Sequence, residues 1–141
     1  MGTLSYFANM SADGYTVDAD GRFGWATPTD EVLAFINQIE EDVAVYVHGR
    51  RMYETMVYSE THDPGPDPHT TRYAEIWRGV EKVVASSSLP EEAVTSARTR
   101  LVRDLQLGGL PAMPPDARLS LRLVDTRTFA NGAVYLRYVP R

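Results

Sequence analysis

The sequence contains no cysteine. Disulfides, zinc–thiolate centres and a cysteine nucleophile are excluded with it, and an intracellular, reducing compartment fits. No apolar run approaches the roughly 18 residues of a membrane span, so no membrane partner is expected. Positive charge is not in excess either. Fourteen Lys and Arg stand against nineteen Asp and Glu, a net charge of −5, which leaves no electrostatic footprint for nucleic acid. The N-terminus passes directly into a strand-like run, without the basic and apolar regions of a signal peptide, and a cytoplasmic location is expected. There is no internal repeat and no low-complexity tract. The motifs G-x-S-x-G, G-x-x-x-x-G-K-[ST] and G-x-G-x-x-G are all missing.

What remains is a chain of 141 residues, the size of one ordinary domain, read as 1–141. Residues 3–10, "TLSYFANM", alternate as a strand. Residues 11–28 read as a long loop with turns at Asp13-Gly14 and Asp20-Gly21, and long ordered loops are often functional. Thr29 fits an N-cap. Val32, Leu33, Phe35, Ile36 and Ile39 then form an apolar stripe at helical spacing, so 30–41 is expected to be an amphipathic helix. Residues 43–48, "VAVYVH", are apolar on both faces, as in a covered parallel strand.

Residues 50–58 read as a short helix, and 59–70, rich in Pro, Asp and Gly, as a surface loop. A turn or two of helix is expected over 71–79 and a strand over 81–89, ending in three serines. A strand flanked by charge is expected over 95–105, then an irregular Gly/Pro-rich stretch over 107–117. Residues 118–139 alternate on both sides of Asn131-Gly132, a strong hairpin signal. Strand–helix alternation followed by a hairpin predicts a three-layer α/β domain with a mostly parallel sheet and an antiparallel edge.

Ligands of such sheets sit beyond the C-terminal ends of the strands. Three features fall there: the loop carrying Asn9, Ser11, Asp13 and Gly14; the turn Gly49-Arg50-Arg51-Met52; and Ser86-Ser87-Ser88. Gly49 allows close backbone approach, an arginine can clamp phosphate in bidentate fashion, and serine hydroxyls can bind a second phosphate. Together these suit a phosphorylated nucleotide. The plainer alternative is a turn glycine, two solvated arginines and a serine-rich loop.

Asp30 is either a first-turn dipole residue or, beside Trp25, a proton relay. His62, His69, Asp63 and Asp67 lack regular ligand spacing, so no metal is expected. His48 is expected to bond to backbone, and Trp77 to pack a helix on the sheet.

The segments "YFANMSADGYTVDADGRFGWA", "VYVHGRRMYETM", "EIWRGVEKVVASSSL", "SARTRLVRDL" and "RLVDTRTFANGAVYLRY" occur in this order. With S-x-D-G, strand-G-R-x-x-Y-E and N-G-x-V-Y-L-R-Y, the chain resembles the dihydrofolate reductase-like superfamily. Within it, the chain is similar to the reductase domain of bacterial riboflavin biosynthesis (the RibD C-terminal family).

The resemblance implies hydride transfer from NADPH to a pteridine- or pyrimidine-like ring or a related small molecule. It implies that Gly49, Arg50, Arg51 and Met52 bind cofactor phosphate and that Ser86, Ser87 and Ser88 line the adenosine 2′-phosphate end. Ala8 and Asn9 would approach the nicotinamide, Asp13 and Gly14 would cover the substrate, and Trp25 and Asp30 would match the family's tryptophan and substrate-anchoring carboxylate.

Two departures accompany the likeness. Ser87 stands where an arginine is usual, which leaves NADH possible beside the NADPH that the resemblance implies. Between Arg103 and Leu107 the chain also lacks a strand, a Gly-Gly turn, a helix and a further strand. Such a deletion leaves a sheet edge to be covered, and a homodimer is the expected remedy. The rival expectation is a shortened, non-catalytic relative that binds a small molecule or dimerises.

Overall fold

The computed structural model describes residues 4–11, 13, 15–104 and 120–141. Gly14, Gly108, Gly109 and the Gly/Pro-rich stretch 107–117 lie outside them, as does Leu119 at the start of the expected hairpin. The described residues fall into two compact units, one from segments 1–29 and 110–141, the other from 30–109.

The second unit is an α/β layer structure. Helix α1 spans Asp30–Glu40, as its apolar stripe predicts, with Asp30 and Glu31 in the first turn, where carboxylates favour the dipole. Strand β1, Val45–Gly49, leads into α2, Arg50–Met56, and α3, Tyr58–Thr61. Helix α4 spans Pro68–Gly79 and starts inside the segment expected to be loop. Asp67 caps it, its side chain accepting from Thr70 N at 2.6 Å, and Pro68 occupies the first helical position. The Asp-Pro pair that reads as loop punctuation is here an N-cap followed by N1 proline.

Strands β2, Glu81–Ala85, and β3, Thr99–Val102, complete a parallel sheet of order β1-β2-β3. Its register sets Tyr46 beside Lys82, His48 beside Val84 and Gly49 beside Ala85. Val84 in turn pairs with Leu101.

One sheet face carries the main buried cluster, while on the other Val83 is also buried. Tyr53 of α2, Trp77 of α4, Val84 and Leu89 form the buried cluster, with Tyr46, Met56 and Leu101 against it. Helix α1 is tied to α4: Asn37 Nδ2 donates to His69 O at 2.9 Å, and Arg72 pairs with Glu41 at 2.5 Å. Strand β1 was expected to be covered on both faces. Instead Val45 and Val47, which alternate with the packed Tyr46 and His48, are 47% and 48% exposed.

Lys82 is 1% exposed although it is charged. Its Nζ donates to Trp77 O at 2.6 Å and to Val80 O at 2.9 Å, carbonyls at the end of α4, and lies 4.8 Å from the Trp77 ring centroid. Burial lowers its pKa from the ordinary lysine value, an effect opposed by the nearby carboxylates Glu60 and Glu81.

In the first unit, residues 4–10 do not form the expected strand. Alternation allows a strand, but a strand also needs a hydrogen-bonded neighbour, and no ladder among the described residues includes these positions. The Asp20-Gly21 turn does form. Asp18 Oδ1 accepts from Asp20 N and Arg22 N at 2.9 and 2.8 Å, and Gly21 takes φ 77°. The C-terminal hairpin pairs β4, Leu121–Thr128, with β5, Val134–Pro140, in antiparallel fashion as a two-stranded sheet. Its turn uses Gly132 at φ 86°, and Ala133 N donates to Asn131 Oδ1 at 3.1 Å.

Candidate functional site

The parallel register between β1 and β2 decides what meets at their C-terminal ends. With Gly49 level with Ala85, the turn into α2 lies beside the serine loop. An open cleft of about 630 Å³ forms there, lined by Gly49, Arg50, Arg51, Met52, Glu54 and Ser88.

Gly49 has extended backbone, φ −77° and ψ 167°, which any residue adopts. A Cβ added there meets no protein atom within 4 Å. The chain's own packing therefore does not require glycine at this position, and the open space suits backbone approach by a ligand.

Arg50 is held on two sides. Its Nε donates to Glu54 Oε1 at 2.8 Å, and its Nη1 donates to Ser88 Oγ at 3.3 Å. Arg51 makes no ion pair among the described residues and is exposed. Arginines occupy the first turn of α2, with no acidic residue there, a placement opposed to the helix dipole.

The serine loop splits by role. Ser88 lines the cleft. Ser86 is half-buried and shapes the loop, its Oγ accepting from Ser88 N at 3.2 Å and from Leu89 N at 3.0 Å. Ser87 is exposed and does not line the cleft. From the end of β3, Arg103 Nη1 donates to Leu89 O and, at 3.4 Å, to Ser86 O, pinning the loop from behind.

Other expected site residues stand elsewhere. Asp30 is exposed at the start of α1 and is not part of the cleft lining. Ala8 is half-buried, while Asn9 and Asp13 are exposed. Asn9 Nδ2 donates to Ala26 O at 2.9 Å, anchoring residues 24–26, the short turn that carries Trp25 at 48% exposure. These four belong to the other compact unit. The backbone bond expected of His48 does not involve its Nε2. That atom is buried without a hydrogen-bond partner among the described residues, and the ring packs against both Tyr46 and Trp77, which also stack on each other. Burial, and then the charge of Lys82, lower its pKa.

No protein-family model matches the chain, and neither a curated protein nor a solved structure matches it significantly.

Among the described residues no group of His, Asp and Glu is placed to hold a metal ion, and no helix is long and apolar enough to cross a membrane. The cleft brings two guanidinium groups, a carboxylate, a hydroxyl and a glycine backbone together at adjacent strand ends, groups that can meet an anion through the arginines. Sequence reading missed Glu54 and Arg103. Glu54 had a local signal, standing four residues after Arg50, where oppositely charged side chains meet on a helix.

Proposed function

We propose that the chain is a dihydrofolate reductase-like protein that takes the phosphate portion of NADPH, or of NADH, in the cleft at Gly49–Met52 and Ser88. The observation that carries this reading is the coincidence of Gly49, Arg50, Arg51 and Ser88 at the paired C-terminal ends of two parallel strands. It agrees with the sequence's resemblance to the riboflavin-type reductases.

In this reading Arg50 and Arg51 neutralise phosphate and Ser88 donates its hydroxyl. Gly49 leaves the backbone open to the ligand. NADPH supplies the hydride for a pteridine- or pyrimidine-like or related small substrate. Asp30, or a bound water, would supply the proton; the nicotinamide and substrate roles of Ala8, Asn9, Asp13, Gly14 and Trp25 rest on the resemblance alone. Protein positioning and electrostatics are the main demands of such chemistry.

Titration with NADPH and NADH, read by thermal shift, tests it. Ligand at about 100 times its Kd stabilises by about 2.7 kcal/mol. Arg50→Ala is expected to weaken binding by about 1–3 kcal/mol, the scale of a hydrogen bond to a charged group. No shift with either dinucleotide removes the reading.

A second reading, a non-catalytic small-molecule-binding or dimerising relative, draws on the half-exposed Val45 and Val47 and on hairpin residues Leu123, Val134, Leu136 and Tyr138, all at least 46% exposed. A second copy covering such surface would make a homodimer. Light scattering that finds a dimer, together with a melting temperature indifferent to dinucleotide, selects this reading.

A further inference from the structure

We infer that Glu54 is a positioning residue for Arg50, setting its guanidinium for phosphate; this rests on the anion-binding reading of the cleft. Glu54 Oε1 takes the Nε–H of Arg50 at 2.8 Å, and Ser88 Oγ takes an Nη1–H at 3.3 Å. A guanidinium carries five N–H donors. Three remain on the two Nη nitrogens, which between them form the edge that binds phosphate through parallel N–H···O bonds.

All three residues line one cleft with Arg51. Two arginines against one glutamate leave it a net charge of +1, so the carboxylate holds Arg50 without cancelling the site. The two cations in the first turn of α2 oppose the helix dipole, and the Arg50–Glu54 pair, in the less favourable i, i+4 order, offsets only part of that. Local choices that disfavour an element are expected where a site needs them. The benefit lies in binding: a long side chain already held in place loses less freedom when the ligand arrives.

Calorimetric titration of the full chain with NADPH and, separately, with inorganic pyrophosphate tests the inference. Glu54→Ala is expected to weaken binding of whichever probe binds by about three- to tenfold, the cost of immobilising one flexible side chain. Glu54→Gln keeps an acceptor for the Nε–H and is expected to bind at least as well as the wild type. In an Arg50→Ala background, Glu54→Ala is expected to leave affinity unchanged or to raise it, because only a negative charge is then lost.

Unchanged or tighter binding by Glu54→Ala alone overturns the role, as does an equal loss with and without Arg50. Pyrophosphate binding with this variant pattern, but no NADPH binding, removes the dinucleotide reading and leaves the role of Glu54 standing. Binding of neither probe to the wild type overturns both.

Discussion

Glu60 offers a sharp test of how the second unit is held together. Its side chain accepts from Trp77 Nε1 at 3.1 Å, from Ser96 Oγ at 2.6 Å and from Ala97 N at 3.3 Å. It thus ties α3 to α4 and to the connection between β2 and β3. Trp77 is 1% exposed and Ser96 is 5% exposed, so removing the carboxylate strands buried donors.

A buried donor left unsatisfied costs about 1–3 kcal/mol. The Ser96 hydroxyl can turn to another acceptor, and the partly exposed carboxylate position admits water. For Glu60→Ala we therefore expect a loss of about 2–3 kcal/mol, read from urea denaturation, and a fall in Tm of about 5–10 °C. Glu60→Gln keeps one acceptor oxygen and is expected to lose about half as much.

The pH dependence tests the charge separately. Burial pushes the Glu60 carboxyl up, but the bonds from Ser96, Ala97 and Trp77 and the charge of Lys82 outweigh it, holding the pKa below its ordinary 4.5. The unfolded chain then binds more protons than the folded one as pH drops below 4.5, so stability falls there. The contribution of the charged form is complete above 4.5 and is lost as pH falls through the folded value. The gap between wild type and Glu60→Gln should narrow on acidification through this window. A Glu60→Ala loss below about 0.5 kcal/mol, the range of ordinary surface substitutions, refutes the reasoning. So does a gap between wild type and Glu60→Gln that stays constant from neutral pH into the acid range.

Two further outcomes follow from single contacts. Tyr53, 1% exposed, accepts from Ser96 N at 3.1 Å through its hydroxyl, so Tyr53→Phe strands a buried N–H and should cost about 1–2 kcal/mol in urea denaturation. Gly132 sits at φ 86° in the β4–β5 turn, so Gly132→Ala should cost about 1–2 kcal/mol of local strain. That cost should appear as faster amide exchange in β4 and β5 and leave the exchange of β1 to β3 unchanged.

Elements whose cause is local were legible in the sequence. The stripe from Val32 to Ile39 is enough to make α1, because a helix satisfies its own backbone and needs only one apolar face. Asn131-Gly132 is enough to make the hairpin turn, because positive φ is a property of the residue. Strand-then-helix order around His48 and Gly49 implied parallel neighbours, since parallel strands need a crossover. Residues 4–10 show the limit of such reading, because alternation describes a strand's faces but not its partner.

The candidate site divides along the same line. Composition and local pattern by themselves determined that the chain has no thiol chemistry, that a glycine and two arginines follow an apolar strand, and that three serines follow another. Only the tertiary structure decided that Arg50 reaches Ser88 across 38 positions, that Ser86 serves the loop while Ser88 serves the cleft, and that Arg51 makes no ion pair among the described residues. It also decided that Lys82 is buried under Trp77 and that Glu60 meets Ser96. The physical reason is that a hydrogen bond between distant residues depends on sheet register and helix packing, and neither is written in the residues on either side of the bond.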